Sequence, residues 1–259
     1  MVFGSSVANV HFDPMLATQL TGLTACNEGL HGTYLDQYSS LISEYLNYGT
    51  KCRYLIICCD FDNRGNNNLI TRPDLYLSHL NRKHVYDALY AMEPQNIWCA
   101  KFLPGYKLCI EGKQFYKELF IPSKDDTLAG FKPVADTAKW NILKSDTFTT
   151  RLDAVVYSRL TDIIDRATAK GIEVYAVLTP VYKDGQALIL NKDYIREKYK
   201  AAGKGNSRYH FLDYTTDTMC NNINYFYNYS HMRVTGARIF THKLMNQIMQ
   251  LSPDKNNMN

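Results

Sequence analysis

A serine attacks a carbonyl when a base removes its proton and hydrogen-bond donors hold the oxyanion that forms. Residue types for each part fall in three separated segments of this 259-residue chain. Gly4-Ser5-Ser6 follows the apolar Val2-Phe3 and sets a hydroxyl in a turn after a short strand. Asn27-Glu28-Gly29-Leu30-His31-Gly32 carries two glycines, which permit tight bends and let backbone amides point at an anion. Phe226 to Ala237 is a polar loop with a single histidine, His231, just ahead of a closing helical pattern. Each segment alone also has a bland reading: an ordinary loop, a strand-to-helix turn and a surface histidine.

Together and in this order, the three segments resemble the SGNH (GDSL-like) hydrolase superfamily, particularly its envelope-associated branch in which Gly-Ser-Ser replaces Gly-Asp-Ser. The resemblance spans almost the whole chain and leaves the middle unmatched. It implies a three-layer α/β/α, flavodoxin-like fold with a central parallel sheet. The implied chemistry is hydrolysis or transfer of ester-linked acyl groups, frequently acetyl groups on carbohydrate, with no metal or organic cofactor. It also implies an extracytoplasmic or periplasmic setting. Ser6 matches the nucleophile and one amide donor, His231 the base, and Gly29 the glycine of the oxyanion hole. Asn63, in Asp60-Phe61-Asp62-Asn63, is the nearest counterpart of the third donor, without the family's Gly-x-Asn-Asp context.

One position departs from the pattern. The family places aspartate three residues before the histidine, and this chain has Asn228. An amide can hydrogen-bond the imidazole but brings no charge, and in a well-studied Ser-His-Asp protease the Asp-to-Asn change lowers turnover about ten-thousandfold. Asp213 and Asp217 lie upstream as possible substitute carboxylates, with a strand-end turn as the plainer role for Asp213. His31 and His11 are candidates for substrate contact, and the tyrosines at 225, 227 and 229 could stack on sugar rings or simply pack.

These residues need elements to position them. Apolar residues at 35, 38, 41, 42, 45 and 46 mark a helix over 33–48, with Thr33 and Asp36 placed as a cap pair and Gly49 as its stop. Tyr54 to Cys59 is a continuous apolar run of strand length, as in sheets covered on both faces, and Ile172 to Leu178 reads as a buried parallel strand. Helical patterns over 153–170, 192–202 and 236–251 and a strand at 209–212 complete an alternation that implies a parallel sheet. Active sites in such sheets gather at the strands' carboxyl ends. The polar segments at Ser5-Ser6, Asp60 to Asn63, Thr179-Pro180 and Asp213 all fall there. The chain reads as one domain over 1–251, with an insertion at about 73–149 that builds a lid or substrate wall, and a flexible tail over 252–259.

Composition narrows the function classes. Apolar residues make up 46% and charged residues 21%, values of a folded globular chain with a sizeable core. The net charge of +4 is thinly spread apart from a cluster at 192–204, so nucleic-acid binding is not indicated. Seven cysteines, an odd number without metal-ligand spacing, read mostly as buried thiols. No run of about 18 apolar residues and no charged-then-apolar leader appears. Because only three residues precede Gly4, either the first strand is very short or the chain is trimmed of an upstream anchor or leader, and trimming is the favoured expectation.

The leading reading is a serine esterase or acyltransferase acting on a small acyl ester or acylated glycan. A second reading is an SGNH-like domain with impaired catalysis that binds carbohydrate or serves assembly. A third, a flavin or nucleotide binder, would want a glycine-rich loop after the first strand, and Ser5 to Asn9 supplies little glycine. The Ser6 to His231 separation distinguishes the first two.

Overall fold

The computed structural model describes residues 1–48, 52–61, 69–111, 128–141, 147–150, 152 and 154–252. Five strands form one wholly parallel sheet: β1 (Val2–Gly4), β2 (Asn27–Gly29), β3 (Tyr54–Cys59), β4 (Glu173–Leu178) and β5 (Tyr209–Asp213). Their order is β2-β1-β3-β4-β5, one of the two common doubly wound orders, in which ligands bind beyond the carboxyl ends where the order reverses. Here that point lies beside β1, the strand that leads into Ser5 and Ser6.

Both faces are covered, which is why central β3 reads as an unbroken apolar run and β4 nearly so. Leu55, Ile57 and Cys59 of β3 face α3 (Leu35–Asn47) and α7 (Ala154–Ala169), whose Tyr38, Ile42, Leu160, Ile163 and Ile164 are buried against them. Tyr54, Ile56 and Cys58 point the other way. They meet α1 (Ser6–His11), α2 (Pro14–Thr21) and α10 (Val234–Leu251) through Val7, Ala8, Ala17, Phe240 and Leu244. Alternate residues of one strand thus supply two separate cores.

Helices α4 (Lys83–Met92), α5 (Pro94–Phe102) and α6 (Tyr106–Glu111) lie within the anticipated insertion. They bury their own small cluster, including Tyr76, Leu77, Leu80 and Ile97, and share Leu41 of α3 with the main core. Between β4 and β5 lie α8 (Lys183–Ala187) and the charged α9 (Lys192–Ala201).

Some local expectations are corrected. Thr33 does not cap α3: its hydroxyl donates to the Leu30 carbonyl, and Tyr34 occupies the cap position without a side-chain bond. Gly49 lies outside the described residues. Ser252, assigned to the tail, is buried at the end of α10 and accepts a hydrogen bond from the Tyr54 hydroxyl at 2.9 Å. Of the seven free cysteines only Cys58, Cys59 and Cys220 are buried, and Cys109 is exposed.

Candidate active site

β1 ends at Gly4, and the chain turns directly into α1. Ser5 is the N-cap of that helix and Ser6 its first residue, so the Ser6 amide has no acceptor within the helix. The turn is tight because glycine stands where a side chain cannot fit: a Cβ on Gly4 would lie 2.7 Å from the Cys58 carbonyl oxygen. The Ser5 hydroxyl donates to Asp60 at the end of β3, which ties the turn to the neighbouring strand. Ser6 is left half-buried, facing the loop that carries the histidine.

That loop is a short hairpin. Phe226 and Met232 pair across it, and the Tyr227 amide donates to the His231 carbonyl at 2.8 Å. Buried Asn228 organises its tip through one atom. Its Oδ1 accepts from the Ser230 amide at 3.0 Å and the His231 amide at 2.8 Å, and it lies 3.1 Å from His231 Nδ1. Only the oxygen of an amide can accept from two N–H groups, so these donors fix the orientation of the Asn228 side chain. An acceptor opposite Nδ1 places the ring proton there. His231 Nε2, stripped of a proton, then meets Ser6 Oγ at 2.8 Å as an acceptor. This is the tautomer that general-base catalysis requires.

The structure therefore brings together Ser6, His231 and Asn228, 225 residues apart in the case of the first two. His31 is exposed, its ring centroid 6.3 Å from that of His231, beside the Ser6–His231 contact. A cavity of about 220 Å³ opens at the serine, lined among others by Ser5, Ser6, Gly32, Asp60, Tyr229 and His231.

Other sequence candidates have different roles. Gly29 does not line the cavity, and its amide donates to Asn27 Oδ1 at 3.0 Å. A Cβ there would lie 2.4 Å from the Asn9 nitrogen, so Gly29 is the packing contact that lets α1 lie against β2. Gly32, three residues on, is the glycine of that segment on the cavity wall, with φ of +76°. His11 is wholly buried behind the site, and its Nε2 accepts from the Met232 amide at 3.1 Å. Burial, then the neighbouring His231, hold its pKa well below the ordinary histidine range, so it is a neutral support of the hairpin and not a substrate contact.

Neither proposed carboxylate substitutes for aspartate. Asp213 pairs with Arg196 at 2.8 Å and accepts from Thr215. Asp217 caps the turn at Met219 and pairs with Lys243 at 2.7 Å; burial alone would raise its pKa, and these partners hold it below the usual carboxylate value. Asn63 lies outside the described residues.

Two site residues escaped the assignment of roles. Asp60 is the one carboxylate on the described cavity wall, and its signal was its place at the end of β3. Asn27 had no such signal. It is buried and bonds the carbonyls of Ala8 at 2.7 Å and Phe12 at 2.8 Å as well as the Gly29 amide, joining β2 to the middle and the C-terminal end of α1. Cys58, close under the turn, is no rival nucleophile because burial pushes its thiol up to about 12. Among the described residues no group of three or more His, Cys, Asp or Glu could hold a metal ion, and no helix is long and apolar enough to cross a membrane.

Comparison with protein-family models, with curated proteins and with solved structures returned no match.

Proposed function

We propose that the protein is a serine ester hydrolase or O-acyltransferase of the SGNH type. The observation that carries this reading is the 2.8 Å contact between Ser6 Oγ and His231 Nε2, at the carboxyl end of the sheet, with the tautomer set by Asn228. Ser6 attacks the ester carbonyl as His231 takes its proton, and the alcohol leaves with that proton. Water or a second alcohol then resolves the acyl-enzyme. The amide of Ser6 and the backbone at Gly32 are the oxyanion donors this reading favours over Gly29. On the alcohol side the reading takes an acylated glycan. Tyr229 on the cavity wall packs edge-on against Trp140, with ring centroids 5.8 Å apart, and such an aromatic pair suits the face of a sugar ring.

Asn228 favours the second reading, a binding domain of impaired catalysis, because it cannot offset the charge of an imidazolium. Mass spectrometry after incubation with p-nitrophenyl esters, with release of p-nitrophenol followed in parallel, separates the two. The enzyme reading expects an acyl adduct on Ser6 and loss of turnover in Ser6→Ala. Unchanged turnover in that variant removes Ser6 as nucleophile.

A further inference from the structure

Resting on the esterase reading, we infer that the cavity beside Ser6 is an acyl-chain pocket that selects straight chains of about four to eight carbons over acetyl. Its walls are mainly apolar: Val7 from α1, Phe61 after β3, Val181 after β4, and Leu188, Ile189 and Phe148 beyond. Phe61, Val181 and Ile189 belong to the main core, so the floor is continuous with the protein interior. The outer wall is held in place by backbone. The Phe148 amide donates to the Leu188 carbonyl, and the Leu190 amide to the Phe148 carbonyl, both at 2.9 Å.

Several polar side chains on the described wall, Asp60 among them, are turned to protein partners. Ser5 donates to Asp60, Thr33 to the Leu30 carbonyl, and Ser230 meets Asn228 and His231. A hydroxyl-rich group would lose water here and find few replacements, which costs binding. An alkyl chain would lose nothing by desolvation and would displace water that has few partners. Acetyl would leave most of the 220 Å³ unfilled. The sugar of an acylated glycan therefore belongs at the mouth, by Tyr229, and the chain inside.

Each methylene buried at this site is expected to raise kcat/KM about fourfold, until the pocket is full. The test measures kcat/KM for p-nitrophenyl acetate, butyrate, hexanoate, octanoate and dodecanoate in the wild type and in Leu188→Trp and Leu188→Ala, with melting temperature as a check on folding. The proposal expects a rise from acetate to hexanoate or octanoate. It expects that rise to vanish in Leu188→Trp, with a larger loss for hexanoate and octanoate than for acetate, and the optimum to move to longer chains in Leu188→Ala. A preference for acetate in the wild type overturns it, as does an equal effect of Leu188→Trp on all chain lengths.

A second arm does not depend on catalysis. Ligand-observed NMR titration of Ser6→Ala with acetamide and hexanamide is expected to show binding of hexanamide at least tenfold tighter, and weakened by adding Leu188→Trp. Hexanamide binding without any ester turnover in the wild type would sink the esterase reading and keep the apolar pocket. Ser6-dependent turnover without the chain-length preference would do the reverse.

Discussion

Asn228→Asp is the substitution that most directly probes the base. The side chains are nearly the same shape, and the oxygen that accepts from the Ser230 and His231 amides at 3.0 and 2.8 Å can be kept, so the hairpin should survive. What changes is a negative charge 3.1 Å from His231 Nδ1. An opposite charge at this range raises an imidazole pKa by about 1 to 3 units. Only a neutral imidazole serves as base, so the acid limb of the kcat/KM profile moves to higher pH by that amount. Above the limb, a hydrogen bond to a charged acceptor outweighs one to a neutral acceptor by about 1 to 2 kcal/mol as the imidazolium forms, which is roughly a five- to thirtyfold gain in rate. The gain is smaller than the ten-thousandfold effect known for the reverse change in a protease, because much of that loss came from a wrong tautomer. Here Asn228 already presents oxygen, so the correct tautomer is in place. The assay is the pH dependence of p-nitrophenyl ester hydrolysis from pH 5 to 9. A limb that stays put, with an unchanged plateau and melting temperature, would refute the role given to Asn228.

Gly29→Ala is expected to lower stability by about 3 kcal/mol, because its Cβ would sit 2.4 Å from the Asn9 nitrogen and force α1 off the sheet. Chemical denaturation measures this, and wild-type stability with a selective fall in kcat would restore Gly29 to the oxyanion hole. For buried His11, whose pKa is depressed in the fold, the unfolded chain binds more protons below about pH 6.5. Its contribution is therefore fully present above pH 6.5 and declines as the pH falls toward the folded value, by up to about 1.4 kcal/mol per unit. In His11→Gln, melting temperature should depend less on pH between 6.5 and 5, and an unaltered slope would count against a neutral buried His11.

Much of the architecture was legible because burial writes itself into local patterns. Tyr54 to Cys59 is apolar throughout, and β4 nearly so after Glu173, because helices cover both faces, and the apolar spacing within α3 and α7 follows the stripe each turns toward the sheet. Segment order also carried the candidate pair, since a serine after the first strand and a histidine before the last helix fall at one end of a parallel sheet. Short-range chemistry misled at Thr33, whose hydroxyl reached back to Leu30 and not forward into the helix.

Sequence alone thus pointed to the parallel sheet, through the alternation of strand and helix patterns along the chain, and to Ser6 and His231 as a pair worth testing, through the order of segments that resembles the SGNH superfamily. Tertiary structure decided which groups remain available to do chemistry. It engages the Gly29 amide with Asn27, sends Asp213 and Asp217 to Arg196 and Lys243, buries His11, and turns the oxygen of Asn228 toward the imidazole. The two aspartates and His11 depend on partners distant in the chain, while Gly29 and Asn228 are engaged within turns of two and three residues, and a donor or acceptor already satisfied looks the same in sequence as a free one.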